Sequence, residues 1–320
     1  MRIHGLVKRI KHYFFPGTII LLYHRVIDLK TDPYLLAVSP KRFSEQISYL
    51  KNHYHIISLD QLITSLQQGI FPQNSLVITF DDGYLDNYTY AKPILEQLQV
   101  PATIFVSTGN LGRNEEFWWD ALERLFLIGE NLPSDIELAL PTKKRHWKLT
   151  TPEEMKTAQH ELHSLFREMS PDMVRKSLTM LSSRISVPPG ARPEFRVMNE
   201  EELRDLASSR FITLGAHTHS HTKLANQTRS AQRADILMSK KILEQILNRN
   251  IKHFSYPFGT MDDYNLESLE VVRELGFLSA CSNFPGVIRK KVNPYKLPRF
   301  LMRNWNEAEF RANINSFFCW

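Results

Sequence analysis

Cysteine is scarce. Cys281 and Cys319 are the only two in 320 residues, and neither stands in a paired, metal-type spacing. That excludes a disulfide framework and a cysteine-ligated zinc module, and leaves both as packing or surface residues. Long apolar runs are missing too. Thr18–Leu22 is too short to span a bilayer, and no other stretch is a candidate. Arg2, Lys8, Arg9 and Lys11 resemble the basic head of an export signal. Phe14 and Phe15 are cut off by Pro16-Gly17, however, and no small-residue cleavage site follows. The expected location is the cytoplasm, with the basic arm Arg2–Lys11 available for peripheral contact with an anionic membrane. There is no internal repeat, no low-complexity tract, no zinc knuckle, no aromatic RNP pattern and no basic-leucine heptad. Nucleic acid is therefore not an expected partner. The net charge of +6 is scattered, densest at Lys8–Lys11 and Lys143–Arg145. Solvated surface accounts for it better than polyanion binding does.

What is present is ordinary globular composition, 42% hydrophobic and 23% charged. Short apolar runs alternate with helical patterns. Strands are expected at Thr18–Tyr23, His55–Ser58, Ser75–Phe80, Ala102–Ser107, Phe211–Leu214, His253–Tyr256 and Phe277–Cys281. Helices are expected at Ser39–Lys51 (Ser39 as N-cap, Pro40 at N1), Leu59–Gln68, Tyr90–Leu98, Ser230–Asn248 and Ser268–Leu275. The alternation argues for a parallel sheet or barrel in a single α/β domain spanning residues 1–320. From about Gly112 to Val197 the strand signals stop. Thr151-Pro152-Glu153-Glu154 is a capping box opening a helix to about Glu168, and Ser170-Pro171-Asp172 starts another to about Ile185. This segment reads as a helical insertion between two barrel strands.

Two constellations carry chemistry. Thr79-Phe80-Asp81-Asp82-Gly83-Tyr84 ends a strand in adjacent carboxylates. Neighbouring strand residues face opposite ways, so both acids reach one site only if the backbone bends there. His217-Thr218-His219-Ser220-His221 places three histidines in five residues. One helical turn would bring His217 and His221 to one face, while a strand would align all three. Two histidines and an aspartate on separate loops make a three-ligand site with open positions, the composition of a catalytic zinc centre. The second carboxylate is then available as a general base. Two weaker signals are Leu21-Leu22-Tyr23-His24-Arg25, a strand ending in histidine, and Phe254-Ser255-Tyr256-Pro257-Phe258-Gly259, a strand entering a turn.

Taken together, T-F-D-D-G at Thr79–Gly83, H-[ST]-x-x-H at His217–His221 and a degraded Pro-aromatic-Gly motif at Pro257–Gly259 resemble the polysaccharide deacetylase family, the NodB-homology carbohydrate esterases. The resemblance covers Ile19 to Arg299 outside the insertion. It implies an irregular (β/α) barrel of about seven strands. It implies removal of N-acetyl groups from an N-acetylhexosamine polysaccharide or glycan precursor. Asp82, His217 and His221 match the metal ligands, Asp81 the base, and the Phe258 N–H an oxyanion donor. His219 fills a variable position. Zinc is the expected ion, with cobalt, nickel or iron also compatible. The family's catalytic histidine comes late in the chain, and no such motif stands near this C-terminus. Leu22-Tyr23-His24 resembles it, displaced to the front as in circularly permuted members, which makes His24 the expected proton donor. Tyr84, Pro257, Phe258 and the pair Trp118-Trp119 are expected to line a sugar site.

The family arginine that pairs with the base aspartate is absent, with Ser255 near its place. Arg299 in Leu297-Pro298-Arg299-Phe300 is the expected substitute. The aspartate that follows the family histidine is Arg25 here. Four other readings stay open at this point. One is a non-catalytic sugar-binding or scaffold protein on the same barrel. Another is a hydrolase of a different carbon–nitrogen amide bond. A third is an amidohydrolase-type barrel using His217 and His219, and the last is a polyanion binder.

Overall fold

The structure, a computed structural model, describes residues 17–72, 74–129, 132–139, 144–188, 190–289 and 291–320. The basic arm Arg2–Lys11 and Lys143 lie outside the described residues. The chain divides into two compact units, after Gly112 and after Val197.

The first unit is the barrel. Its strands are β1 (Thr18–Tyr23), β2 (Ser75–Phe80), β3 (Ala102–Val106), β4 (Ile212–Ala216), β5 (His253–Ser255), β6 (Ser279–Cys281) and β7 (Phe300–Leu301). They lie side by side in the order β6-β5-β4-β3-β2-β1-β7, every pair parallel. A short strand, His55–Ile56, pairs with the start of β2. The ends of the path meet through Leu297. Its N–H donates to Ala280 O (2.9 Å), and its carbonyl accepts from Ser282 N (2.8 Å). Three residues later Phe300 pairs with Leu21, so the first and last strands are neighbours.

Alternation along the strands sorts their side chains. Ile19, Leu21 and Tyr23, with Leu76, Ile78 and Phe80, pack under the helices in one apolar cluster. Ile20, Val77, Phe105, Cys281 and Leu297 belong to a second cluster. Both faces of β1 and β2 are buried, as parallel strands require. The helices start where side chains can satisfy the exposed N–H groups. Ser39 accepts from Arg42 N, and Ser58, Asn199, Asn265 and Asn306 each close a reciprocal capping box. The strand Phe300–Leu301 and the helices Glu200–Ser208 and Glu307–Phe317 add to the elements expected from periodicity. No described helix is long and apolar enough to cross a membrane.

The second unit, residues 113–197, carries the two helices expected from its capping signals, at Pro152–Arg167 and Pro171–Ser182. It is not purely helical, which corrects the sequence reading. An antiparallel hairpin pairs Asp135–Ala139 with Lys144–Lys148. Its inward residues are only Ile136, Leu138 and Trp147 among charged neighbours, too few for a period of two to stand out. They pack with Leu122, Phe126, Leu162, Phe166 and Leu181 in a core of this unit's own.

Candidate active site

Val77, Thr79 and Asp81 share one face of β2 and its continuation, so Asp81 follows the alternation into the barrel. Asp82 would face the other way. Instead it takes a left-handed backbone, φ +77°, and Gly83 follows at φ +83°. A Cβ at Gly83 would stand 2.9 Å from Val106 Cγ1, so the turn needs glycine for space as well as for φ. The bend brings both carboxylates to the same end of the barrel.

The histidines reach that place from β4. Neither a helix nor a strand carries them. Thr218 (φ +61°) and His221 (φ +49°) are both left-handed, and His221 N donates to Thr218 Oγ1 at 3.0 Å. This tight turn folds His221 back beside His217, with ring centroids 4.8 Å apart. His219 points elsewhere, its Nδ1 3.0 Å from Thr108 Oγ1. That geometry does not suit a His217–His219 metal pair.

Asp82, His217 and His221 form a buried cluster whose ligand atoms lie within 4.8 Å of one another. Asp82 Oδ1 is 3.5 Å from His217 Nε2 and 3.2 Å from His221 Nε2. Ligands about 2.1 Å from a tetrahedral ion stand roughly 3.4 Å apart, so the spacing fits a cation among them. The tautomer fits as well. His217 Nδ1–H donates to Ser255 O at 2.8 Å, which leaves the Nε2 lone pair facing the carboxylate. A lone pair and a carboxylate oxygen repel unless a proton or a cation lies between them. Burial works against charge on both groups. The carboxylates of Asp81 and Asp82 nevertheless hold His217 above its usual pKa, and the two imidazoles hold Asp82 far below its own.

Asp81 sits 3.9 Å from His217 Nε2 and faces Arg299 squarely. Arg299 Nη1 donates to Asp81 Oδ1 (2.8 Å) and Nη2 to Oδ2 (2.6 Å). The guanidinium is itself fully buried and anchored by Ser282 O (2.7 Å), Thr79 Oγ1 (3.2 Å) and Ser255 Oγ (2.8 Å). Ser255 Oγ also donates to Asp81 Oδ2 at 3.0 Å. Burial raises the Asp81 pKa, but Arg299 outweighs it, so the carboxylate stays ionised. Ser255 is a contributor that sequence reading left as a mere place-holder.

His24 follows β1, whose last residue Tyr23 pairs with Phe80, so it stands alongside Asp81. Burial pushes its pKa down, against the opposing pull of Asp82 and Asp81. Its Nδ1 has no hydrogen-bond partner. Phe258 adopts φ +59° and sets its ring edge-on to His221, centroids 5.0 Å apart. Two expected sugar-lining residues are corrected. Tyr84 is fully buried beneath the Arg25 guanidinium, 4.2 Å above its ring. Trp119 is buried within the second unit, stacked on Phe117 at 4.5 Å. Neither ring offers an open face. Pro257 is buried as well, and its carbonyl accepts from Gly259 N at 2.6 Å. Asp86, which pairs with Arg25 at 2.9 Å, was missed because nothing in the local pattern separates it from a solvated turn acid.

The sequence model of the polysaccharide deacetylase family matches residues 68–175 and 180–280. The chain belongs to the polysaccharide deacetylase family. It is 25% identical over 267 residues to the poly-β-1,6-N-acetyl-D-glucosamine N-deacetylase of Staphylococcus aureus, covering 83% of this chain and 68% of that protein. Among solved structures the fold matches IcaB from Ammonifex degensii, with TM-score 0.63 and 17% identity over 95% of this chain and 98% of the other. It also matches the Streptococcus pyogenes deacetylase PplD in complex with acetate, with TM-score 0.60 and 18% identity over 93% and 98%. As a member of this family the chain is a hydrolase of carbon–nitrogen bonds other than peptide bonds, built on an irregular (β/α) barrel.

Proposed function

We propose that this deacetylase removes the acetyl group from N-acetylhexosamine units of a polysaccharide or glycan precursor. Asp82, His217 and His221 would hold a divalent cation, zinc by ligand type, with cobalt, nickel or iron also suited. Such an ion supplies Lewis acidity, polarising the acetyl carbonyl and acidifying a water molecule. Asp81, kept ionised by Arg299, takes a proton from the attacking water. The Phe258 N–H donates to the carbonyl oxygen as that oxygen gains charge. His24 gives its proton to the sugar nitrogen as the C–N bond breaks, releasing acetate and a free amine. Burial disfavours the charged form of His24, and the carboxylates of Asp82 and Asp81 oppose that effect.

The observation that carries this reading is the buried Arg299–Asp81 fork lying against an Asp–His–His cluster of ligand spacing. The family arginine is missing from its usual strand, yet its charge is supplied from the chain's last strand region. The same neighbourhood supports reading the chain as a circular permutant, since β1 with His24 lies directly against β7. Residence in the cytoplasm, with the basic arm on an anionic membrane, belongs to this proposal and is checked by cell fractionation.

The test is acetate release from a panel of N-acetylated glycans, with and without chelator. Wild type should release acetate from an N-acetylglucosamine polymer and stop on chelation. Asp81→Asn should be slower by roughly 10²–10⁴-fold. Absence of acetate from every glycan with metal supplied would overturn the reading. Arg299→Ala retaining full rate and an unchanged pH profile would remove Arg299 from it.

A further inference from the structure

Four consecutive residues at the end of β1 are each tied to the loop leaving β2. The Tyr23 carbonyl accepts from Asp81 N at 3.1 Å. The His24 carbonyl accepts from Asn87 Nδ2 at 2.8 Å. Arg25 Nε donates to Asp86 Oδ2 at 2.9 Å, and Val26 N donates to Asp86 Oδ1 at 2.8 Å. Asn87 Nδ2 also reaches Asp86 Oδ1, at 3.1 Å, so the contacts form one network. Arg25, Asp86, Asn87 and the Tyr84 ring under the guanidinium are all buried. The loop that makes these contacts, Asp81 to Asn87, is the one that carries the base and a metal ligand.

A buried ion pair is weak evidence for stability, because its desolvation cost offsets most of its attraction. Its place here points to geometry instead. No hydrogen bond at Nδ1 aligns the His24 ring, so the placement of its backbone weighs more on where the ring points. We propose that Asp86, Arg25 and Asn87 are positioning residues that hold the proton donor His24 in register with Asp81, so that acid and base meet the same acetamide. This rests on the deacetylase reading above.

The test exploits the leaving group. An amide needs a proton on its departing nitrogen, whereas an aryl acetate releases a stabilised phenolate without one. N-acetylglucosamine oligomer and p-nitrophenyl acetate are therefore compared on wild type, Asn87→Ala and the double variant Arg25→Met/Asp86→Asn. The double variant removes both charges together, so neither is stranded in the interior. Melting and metal content identify folded, loaded protein. The expected result is an amide kcat about 100-fold lower in the double variant at little-changed KM, with a smaller loss in Asn87→Ala. Ester turnover and metal content should stay within about twofold of wild type. Equal losses on amide and ester, or an unchanged amide kcat, in folded and metal-loaded protein would overturn the proposal. Wild type that cleaves the ester but no N-acetylated sugar would instead sink the deacetylase reading, and this one with it.

Discussion

Both units of this protein bury charges, but they use them differently. In the inserted unit the charges cancel. Arg192 bonds Glu116 (2.8 Å) and Glu123 (2.8 Å), and Glu116 also bonds Arg124 at 3.2 Å. Glu116 lies near the start of the unit and Arg192 near its end, so the cluster ties the two ends of the segment together, beside the Glu116–Arg196 bridge. In the barrel, Arg299 pairs with Asp81 and Arg25 with Asp86, while Asp82 faces only imidazoles. Asp82 meets the Nε2 atoms of two imidazoles at 3.5 and 3.2 Å, and the turns around them hold Asp82, Thr218, His221 and Phe258 at positive φ. Among the described residues of the inserted unit, no non-glycine residue has positive φ. Four of the eight positive-φ non-glycine positions of the described residues lie at this site, and the other four, Leu35, Asn74, Gln99 and Asn248, lie elsewhere in the barrel unit.

That contrast can be broken by experiment. The largest effect is expected from His217→Ala. It should abolish stoichiometric metal binding and chelator-sensitive acetate release, while relieving a strained, charge-crowded site and leaving thermal stability of the metal-free protein near wild type. A variant that binds metal normally would end the distinction. Arg192→Ala should do the reverse. Removing the cation shared by Glu116 and Glu123 should cost about 3–5 kcal/mol in denaturant unfolding, with the metal stoichiometry of folded protein unchanged. A smaller, pH-dependent effect is expected at His163, whose ring lies 4.9 Å from Trp118. Burial, then Arg167 and His160, lower its pKa from 6.5 to about 4. Between those values the unfolded chain binds a proton that the folded unit refuses. Stability from this group is therefore complete above about 6.5 and declines as pH falls towards about 4. His163→Phe should flatten that decline in acid unfolding curves, and an unaltered curve would show that His163 does not set it.

Much of the site was readable because its residues are tied to local chemistry. Asp81-Asp82-Gly83 ends an apolar strand, and His217 and His221 stand four apart after another, so their types and spacing point to a metal without any coordinates. The buried strands of the barrel were readable for a similar reason. Ile, Leu and Val runs such as Thr18–Tyr23 can be satisfied only with both faces covered. The hairpin at Asp135–Lys148 escaped because three inward side chains make no period, and β7 because two residues make none. Tyr84 and Trp119 were assigned to the sugar by residue type alone. An aromatic ring packs into a core as readily as it stacks on a sugar, and type does not say which.

Residue order alone pointed to the candidate residue types of a metal site, the parallel α/β architecture and the place of the insertion, since each depends on neighbours within a few positions. Three things depended on the folded chain. These are the left-handed turns that swing Asp82 and His221 into one cluster, the two-pronged geometry of Arg299 on Asp81, whose pairing only the family resemblance had suggested, and the clamp of Asp86 and Asn87 on the His24 segment. Contacts between strands far apart in the chain carry no signature in local spacing, because the parallel pairing of the sheet sets their partners.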